Sequence, residues 1–441
     1  MKRYAAYKPT GLKWFPEIPQ EWNWRFLCQV AQEQTIKKPP EEMYPVMTLS
    51  YGEIKRKKNI DSGLVPSNYD NYQMLYKGNI VLRLIDLQND HTSLRTGLVH
   101  ETGIITSAYT CIVSSENPAY IRYLLHSYDT RKVFYGYGGG VRQSIGFKEI
   151  RHLQVSVPPR DEQDQIVRYL DWQVSKINRL IAAKRKQIEL LNQTIAHNLE
   201  RIICEGMHGE ELVETGNPWI STAPKSWNKL RHKNILTEKK IVVGDTYSQY
   251  TLLSLTTKGI IVRDISSGKG KFPSDFSTYQ VVQPSDMVFC LFDVDETPRT
   301  VGLSAYTGMI TGAYTVYETH DVVPEFLLHY FTAIDNRKGF KPLYSGLRKV
   351  IGKDVFSRQS IYLPSVEEQK EIVAAIDASQ KKCKKAMDLF EQEIIALTDL
   401  RTRLISDVVT GKIDVRSIKV PDYELVDDVV QDSEDGEPEV E

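Results

Sequence analysis

Two stretches of the chain place apolar residues at alternating intervals of four and three. The positions that carry the pattern are Leu170, Ile177, Ile181, Ile188, Leu191 and Ile195 in the first stretch, and Ile376, Met387, Phe390, Ile394, Leu397 and Leu404 in the second. A spacing of 3.5 residues sustained over about four to five heptads predicts coiled-coil helices. Each helix would measure roughly 65 Å, more than a single domain of ordinary size offers as a flank. These apolar residues are therefore candidates for contacts between helices or with partner subunits.

Polar residues interrupt the two patterns at different levels. Lys184 and Asn198 fall in the first seam, Gln380 and Arg401 in the second. Helices that paired with copies of themselves would bring each polar residue against its own copy, whereas pairing with each other offsets them. We therefore expect the two helices to pair within the chain. If they run antiparallel, the flanking domains lie at opposite ends of a rod, related by a pseudo-twofold axis.

Shorter apolar runs between turn signals predict strands and short helices. Predicted strands cover residues 79–87, 110–115, 153–157, 250–255, 286–292 and 315–319, and predicted short helices cover 120–128 and 325–334. Runs of this length with many β-branched residues are typical of strands, and spacings of three and four residues are typical of helices. Both globular parts are therefore expected to mix helices and strands.

The whole pattern occurs twice. "TGLKWFPEIPQEW" from residue 10 aligns with "TGNPWISTAPKSW" from residue 215, and "TGLVHETGIITSAY" from residue 96 with "VGLSAYTGMITGAY" from residue 301. "VPPRDEQDQIV" from residue 157 aligns with "LPSVEEQKEIV" from residue 363. A period near 205 residues indicates a duplicated domain, since solenoid repeats are far shorter.

The predicted fold class is α/β, of the mixed α+β kind, with two globular domains joined by two long antiparallel coiled-coil helices and an internal pseudo-twofold duplication. The predicted segments are domain 1 at 1–158, long helix 1 at 159–206, domain 2 at 207–364, long helix 2 at 365–416, and a tail at 417–441.

Composition narrows the class of protein. The 441 residues are 41% hydrophobic and 26% charged, without a run of 18 apolar residues, so no membrane span is predicted. The first residues have no apolar segment of the kind that marks a secretory signal. The five cysteines are far apart and form no metal-binding pattern, which favours a reducing cytoplasm.

The net charge of −1 hides an asymmetry. After Lys419 the chain has ten Asp or Glu and no Lys or Arg, so 56 basic residues face 47 acidic ones in the remainder, a balance of about +9. The tail predicts a disordered acidic segment. The basic body is compatible with nucleic-acid binding but also with many other functions.

A Gly-x-Arg turn recurs in the two copies. It consists of Gly140, Arg142 and Gln143 in the first, and of Gly346, Arg348 and Lys349 in the second. Glycine allows close approach of a backbone to phosphate, and Arg and Gln form paired hydrogen bonds with guanine and adenine edges. The alternative is a turn with an exposed arginine and no ligand.

Basic residues follow another repeated segment. They are Lys55, Arg56 and Lys57 within "KRKK" in the first copy, and Arg263, Lys269 and Lys271 in the second. They are candidates for phosphate contacts, and a solvated charged face is the alternative. Trp14, Trp22, Trp219 and Trp227 are interpreted as packing residues rather than as platforms for stacked bases.

Two short matches suggest a methyltransferase. "FYGYG" at 134–138 resembles a motif that binds S-adenosylmethionine, and "NPAY" at 117–120 is one residue from an amino-methyltransferase signature. They lie too close together for the intervening strand and helix units, and the second copy has neither. We found no phosphate-binding loop, zinc pattern or catalytic triad signature.

The ordered, duplicated set of "W…P-x-x-W", "TG", "G-x-R" and "P-x-x-x-E-Q" motifs, closing with "VVTGKIDVR" at 408–416, resembles the specificity subunit of type I restriction–modification systems. The resemblance covers residues 10 to about 416. It implies that each domain is a target-recognition domain for one half of a split, asymmetric sequence in double-stranded DNA.

The resemblance also implies partners. The helices would separate the half-sites and bind two modification subunits, which use S-adenosylmethionine, while restriction subunits, possibly two, would use ATP with Mg. This chain would then be a non-catalytic subunit that holds no cofactor and no metal. Two alternatives stay open: a methyltransferase that acts alone, and a coiled-coil adaptor without a nucleic-acid role.

Overall fold

The protein is described here by a computed structural model. It describes residues 2–12, 14–39, 42–57, 69–87, 94–137, 144–263, 275–344, 346 and 349–427.

The first copy ends in the longer of the two long helices. Its elements are β1 (Tyr7–Leu12), β2 (Phe15–Pro19), β3 (Asn23–Phe26), α1 (Leu27–Val30), β4 (Ala31–Gln34), β5 (Met47–Ser50), β6 (Glu53–Arg56), β7 (Gln73–Leu75), β8 (Ile80–Leu82), β9 (Thr96–Leu98), β10 (Gly103–Ile105), β11 (Thr110–Ser114), α2 (Pro118–Thr130), a 3-10 helix (Val133–Tyr137), α3 (Phe147–Ile150), β12 (Gln154–Val157) and α4 (Arg160–Glu205).

The second copy follows the same order. Its elements are β13 (Leu212–Glu214), β14 (Thr222–Pro224), β15 (Asn228–Arg231), α5 (His232–Ile235), β16 (Leu236–Lys239), a 3-10 helix (Gly244–Gln249), β17 (Leu253–Thr256), β18 (Gly259–Val262), β19 (Gln280–Val282), β20 (Met287–Phe289), β21 (Val301–Leu303), β22 (Gly308–Ile310), β23 (Thr315–Thr319), α6 (Pro324–Asn336), a 3-10 helix (Lys341–Leu343), α7 (Lys353–Arg358), β24 (Ser360–Leu363) and α8 (Val366–Val409).

Strand pairing confirms the duplication. The central antiparallel sheet has the order β4-β11-β8-β9 in the first copy and β16-β23-β20-β21 in the second. Each of the predicted strands and short helices overlaps one of these elements, although the observed strands at 80–82 and 287–289 are shorter than predicted. Gly97 and Gly302 explain the repeated "TG" and "VG", because a Cβ at either position would lie within 2.7 Å of a leucine in the adjacent hairpin, Leu49 or Leu255. A side chain there would collide with the core.

The chain divides into two compact units. Unit 1 comprises residues 1–186 and 390–441, and unit 2 comprises residues 187–389. The core of unit 1 combines the first globular domain with the beginning of α4 and the end of α8, so that Leu170 and Val408 belong to one buried cluster. The core of unit 2 combines the second domain with the end of α4 and the beginning of α8. Each domain is therefore packed on parts of both helices.

The helices pair antiparallel in the part of each that lies in unit 1. Asn178 of α4 accepts a hydrogen bond from Arg401 of α8, and Lys184 forms an ion pair with Glu393 at 2.6 Å. As the residue number rises along α4, the number of the partner residue on α8 falls, so the two helices run in opposite directions. Every predicted seam position is buried or half-buried, while most residues between them are exposed.

The repeated Glu-Gln at the start of each long helix attaches that helix to its domain. Glu162 accepts hydrogen bonds from Trp22 at 3.1 Å and from the Tyr4 hydroxyl at 2.6 Å. Gln163 donates to the carbonyl of Pro158 and accepts from the backbone N–H of Asn117. The side chains satisfy backbone groups that a buried helix start would otherwise leave unpaired.

The second copy repeats these bonds. Glu368 accepts from Trp227 at 3.1 Å, and Gln369 donates to the carbonyl of Pro364 and accepts from Val323. The "P-x-x-W" and "P-x-x-x-E-Q" motifs are thus two halves of one structural contact. The interpretation of the tryptophans as packing residues agrees with the burial of Trp22, Trp219 and Trp227, and Trp14 packs against Tyr128.

The last segment differs from its prediction in two respects. Helix α8 ends at Val409 rather than near 416, because Gly411 has a φ of +71° and turns the chain back toward the first domain. The sequence predicts disorder from residue 417, but residues 417–427 follow α4. Gln165 donates to the carbonyl of Ile418 at 2.7 Å, and Asn178 donates to that of Val426 at 2.7 Å. Polar side chains of α4 hold this segment; residues 428–441 lie outside the described part.

No helix in the described ranges combines the length and apolar character needed to cross a membrane.

Gly411 provides a test of the contact between α8 and the first domain. A Cβ at Gly411 would lie 2.4 Å from Pro19, whereas Gly209, with a similar φ of +66°, has open space around it. Both Gly411→Ala and Gly209→Ala carry the cost of a left-handed backbone. We expect Gly411→Ala to be more destabilising by about 1–3 kcal/mol, the usual cost of overpacking. Urea unfolding followed by circular dichroism measures the difference, and equal losses would contradict the contact.

Candidate nucleic-acid interface

The hairpin of β5 and β6 carries the first group of predicted phosphate contacts. Lys55 and Arg56 lie in β6 and Lys57 follows it; residues 58–68, which come next, are outside the described part. The hairpin packs against β9, because Leu49 and Ile54 lie over Gly97. Arg56 is exposed and Lys55 and Lys57 are half-buried. The hairpin therefore presents cations on a rigid support.

Arg56 already has an anionic partner. Its Nε donates to Glu101 at 2.7 Å, and its terminal nitrogen contacts the other oxygen of the same carboxylate. This bond lowers the pKa of Glu101. Both side chains are largely exposed, and exposed pairs of this kind contribute little to stability. A phosphate that offers the same two-oxygen geometry can replace Glu101 at small cost.

The second copy builds the same hairpin. Arg263 follows β18 and donates its backbone N–H to the carbonyl of Leu252, just as Lys57 donates to that of Val46. The side chain of Arg263 is exposed. Lys269 and Lys271 lie outside the described residues. Each hairpin therefore carries a basic residue directly after its second strand, Lys57 after β6 and Arg263 after β18.

The Gly-x-Arg turns lie only partly within the described ranges. Gly140, Arg142, Gln143 and Arg348 are outside them. Gly346 has a φ of +74°, in the left-handed region that favours glycine. Lys349 is half-buried and donates to Asp295 at 2.9 Å and to Glu296 at 2.6 Å. These bonds raise the pKa of Lys349 and compensate its charge, so the structure gives it a structural role beside the predicted one.

In both domains, the residue shortly after the Gly-x-Arg sequence is hydrogen-bonded to the segment that follows a strand of the central sheet. Ile145, just after the first turn, donates its N–H to the carbonyl of Leu84, just after β8. In the second copy Ile351 donates to Leu291, just after β20. In each domain, the residue shortly after the Gly-x-Arg sequence is therefore hydrogen-bonded to the segment that follows a central strand, β8 or β20.

A buried arginine, Arg95, holds the segment that follows β8 in the first domain. It was not identified from the sequence. Arg95 has no exposed surface, and its guanidinium donates to the carbonyls of Arg83 at 3.0 Å and Ile85 at 2.8 Å. Its backbone N–H donates to Asp129 at 2.7 Å. The side chain thus fixes the segment that leads to residues 88–93, which lie outside the described part.

A repeated motif could have revealed part of this arrangement. "DTRK" at 129–132 and "DNRK" at 335–338 are separated by the same 206 residues as the helix motifs. Asp129 and Asp335 each accept a backbone N–H from the residue that precedes a strand, Arg95 before β9 and Thr300 before β21. The following arginine, Arg131 or Arg337, donates to the carbonyl of a tryptophan, Trp14 or Trp219. We did not recognise the motif in the sequence.

The same arginines bind the long helices. Arg131 donates to Ser406 of α8 at 3.0 Å, and Arg337 forms an ion pair with Glu200 of α4. Ser406 and Glu200 occupy equivalent positions in the two copies. Each domain is thus fastened to the end of the helix that belongs to the other copy.

The "NPAY" and "FYGYG" matches have structural roles. Asn117 caps α2 by accepting the N–H groups of Ala119 and Tyr120, and its amide donates to Asp164. Tyr120 is buried and donates to the carbonyl of Ser156. Phe134 belongs to the core. Within the described residues no group of three or more His, Cys, Asp or Glu is arranged to hold a metal.

Comparison with known proteins agrees with this architecture. The family model of the type I restriction modification DNA specificity domain matches residues 23–190. The chain is 25% identical over 321 residues to a putative type I restriction enzyme MjaX specificity subunit of Methanocaldococcus jannaschii, covering 68% of this chain and 69% of that protein.

A solved structure shares the fold, and a second one was also matched. A chain from a study of complex assembly and conformational transition of the type I R-M system aligns with a TM-score of 0.63 at 14% identity, over 90% of this chain and 99% of that one. The HsdS subunit from Thermoanaerobacter tengcongensis aligns over 90% of this chain and 98% of its own at 16% identity, with a TM-score of 0.44. Residues 23–190 therefore match a type I restriction modification DNA specificity domain, and the chain shares the fold of the solved structure that aligns with a TM-score of 0.63.

Proposed function

We propose that this chain reads a split, asymmetric DNA sequence and serves as the scaffold on which modification and restriction subunits assemble. The observation that carries the proposal is the duplicated pair of domains, each with a basic hairpin and each attached to both long helices; the Gly-x-Arg sequence also occurs in both copies. DNA reading by one domain of this size covers only a few base pairs, each worth about 1–3 kcal/mol of discrimination. Two linked readers reach a longer target because the second binding event is intramolecular.

The two domains differ at the positions proposed to read bases. The first turn carries Arg142 and Gln143, the second Arg348 and Lys349. Side chains of different hydrogen-bonding pattern select different base edges. The half-sites are therefore proposed to differ, which makes the target asymmetric.

The long helices are proposed to separate the half-sites and to receive two modification subunits. Support comes from the continuous helical runs of α4 and α8 and from the many polar side chains on the faces outside the seam. Restriction subunits, possibly two, are proposed as further partners. In this proposal S-adenosylmethionine, ATP and Mg belong to the partners, this chain contributes no catalytic group, and the complex acts on DNA in the cytoplasm.

The proposal is tested with the purified chain, labelled S-adenosylmethionine and DNA that carries the target. DNA binding should weaken with salt, because phosphate contacts release counterions. Methyl transfer should appear only when modification subunits are added. Transfer by this chain alone would establish the methyltransferase alternative, and a complete lack of salt-dependent DNA binding would favour the adaptor.

Arg56 should contribute a phosphate contact. Arg56→Ala is expected to weaken binding to all DNA sequences alike and to reduce the slope of log K against log salt by about 1. The matched control is Arg3→Ala, because Arg3 forms a similarly exposed pair with Glu17, 64% and 43% exposed against 66% and 41% for Arg56 and Glu101. Fluorescence anisotropy at several salt concentrations measures both. Equal effects of the two substitutions would exclude a specific role for Arg56.

Arg142 and Arg348 should act on separate half-sites. Arg142→Ala is expected to relax the preference at one half by about 1–3 kcal/mol and to leave the other half unchanged, with Arg348→Ala behaving reciprocally. Competition binding with DNA altered in one half at a time measures the effect. Uniform weakening across both halves would instead identify these arginines as phosphate or structural residues.

A further inference from the structure

Four exposed lysines lie close together on the part of α8 that belongs to unit 2. This lysine face consists of Lys381, Lys382, Lys384 and Lys385. Residues three and four apart are neighbours on a helix surface, so Lys381 lies beside both Lys384 and Lys385. Like charges at these spacings destabilise a helix, and exposed side chains contribute nothing to a core. Packing therefore does not account for the lysine face.

The surroundings of the lysine face hold little negative charge. Among the described residues, none forms an ion pair with any of the four lysines. The acidic residues of α8 that come next in the sequence are Asp377 and Asp388, and Asp377 lies 3.2 Å from His329 of the second domain. Helix α4 has no Asp or Glu between Glu189 and Glu200. The four positive charges thus exceed the negative charges beside them, which attracts an anionic ligand.

The equivalent face of α4 in unit 1 is covered by the chain itself. The residues 206 positions earlier are Ser175, Lys176, Asn178 and Arg179. The segment 417–427 lies over them, because the N–H of Val426 donates to Ser175 at 3.1 Å and its carbonyl accepts from Asn178 at 2.7 Å. Ser175 and Asn178 are 3% and 5% exposed, whereas Lys381 and Lys384 are exposed.

The covering segment is acidic and has no regular secondary structure. It contains Asp422, Glu424 and Asp427 against one lysine. Arg179 donates to the backbone carbonyl of Glu424 and to its carboxylate, both at 3.2 Å. Unit 1 therefore shows how an irregular acidic segment binds this kind of helix face, through its backbone groups and through a carboxylate.

The described residues leave the lysine face of unit 2 uncovered. After α4 the chain first follows the start of α8, where His208 lies 3.6 Å from Glu371, and it then enters β13. Gln165, the equivalent of Glu371, binds the carbonyl of Ile418 at 2.7 Å in unit 1. The two copies thus begin alike and diverge before the level of Lys381.

We infer that the lysine face of α8 binds an irregular, acidic segment of a partner protein, in the way in which α4 binds residues 417–427. Ser175 and Asn178, which bind backbone groups, are replaced by Lys381 and Lys384, and each ammonium group offers three donors and a positive charge. A segment bound there gains more from carboxylates than the segment on α4 does. The inference does not depend on DNA recognition and can fail or hold independently of it.

The first experiment measures the binding of a fluorescent peptide to the full chain by anisotropy. The peptide has the sequence of residues 420–427, VPDYELVD, with three carboxylates and no basic residue. It should bind more weakly as salt is added, because exposed charges are screened. A matched peptide with Asn and Gln in place of Asp and Glu should bind about tenfold more weakly. Equal binding of the two peptides would overturn the inference.

Substitutions then locate the peptide on the lysine face. Lys381→Glu combined with Lys384→Glu should weaken binding of the acidic peptide about tenfold, and the milder Lys381→Gln with Lys384→Gln should weaken it in the same direction. The control is Lys370→Glu, at an exposed lysine of the same helix outside the lysine face. Circular dichroism checks that each variant keeps its helices. Peptide binding that neither double substitution changes would contradict the proposed site.

A titration with duplex DNA decides between a peptide and DNA as the occupant. The double substitution to Glu should change DNA affinity no more than Lys370→Glu does. If the lysine face instead contacts phosphates, the slope of log K against log salt for DNA falls by about 2 in the double variant. That result, together with unchanged peptide binding, would assign the lysine face to DNA and overturn the inference.

Discussion

The attachment of each domain to the two long helices is the interaction on which the structure depends. In each copy a tryptophan donates to a glutamate in the first turn of one helix, Trp22 to Glu162 and Trp227 to Glu368. An arginine of the same domain binds the end of the other helix, at Ser406 or Glu200. Without the domain, the helix ends would expose apolar seam residues, and without the helices each domain core would lose one wall. The domains and helices therefore fold as joint cores rather than as separate bodies.

Much of this architecture was predictable because it follows from periodicity. The seam residues repeat at 3.5-residue intervals, and the predicted strands alternate or run apolar between turns, so both were found from the sequence. The duplication supplied an independent check, since a motif that recurs at the same offset has a structural reason. The end of α8 was misplaced because residues 410–416 remain partly apolar, and only the left-handed Gly411 shows where the helix stops.

The loops and polar contacts were less predictable. A buried arginine such as Arg95 looks in sequence like any surface charge, because only the fold reveals the carbonyls of Arg83 and Ile85 that it binds. The segment 417–427 reads as acidic and disordered, yet backbone groups bonded to Asn178 and Ser175 hold it. Composition describes side chains, whereas these contacts use the main chain. The repeated "D-x-R-K" could have been found by the same comparison that revealed the helix motifs.

These contacts change how the basic balance of the chain should be interpreted. Arg95 and Arg131 donate hydrogen bonds to backbone carbonyls. Arg337 forms an ion pair with Glu200, and Lys349 forms ion pairs with two carboxylates. Cations used in this way stabilise loops and helix ends but offer little attraction to a phosphate backbone. The balance of charges in the sequence therefore overstates the basic charge that is not already bound within the protein. The arginines that recur in both copies, Arg131 and Arg337, therefore serve the framework of each domain.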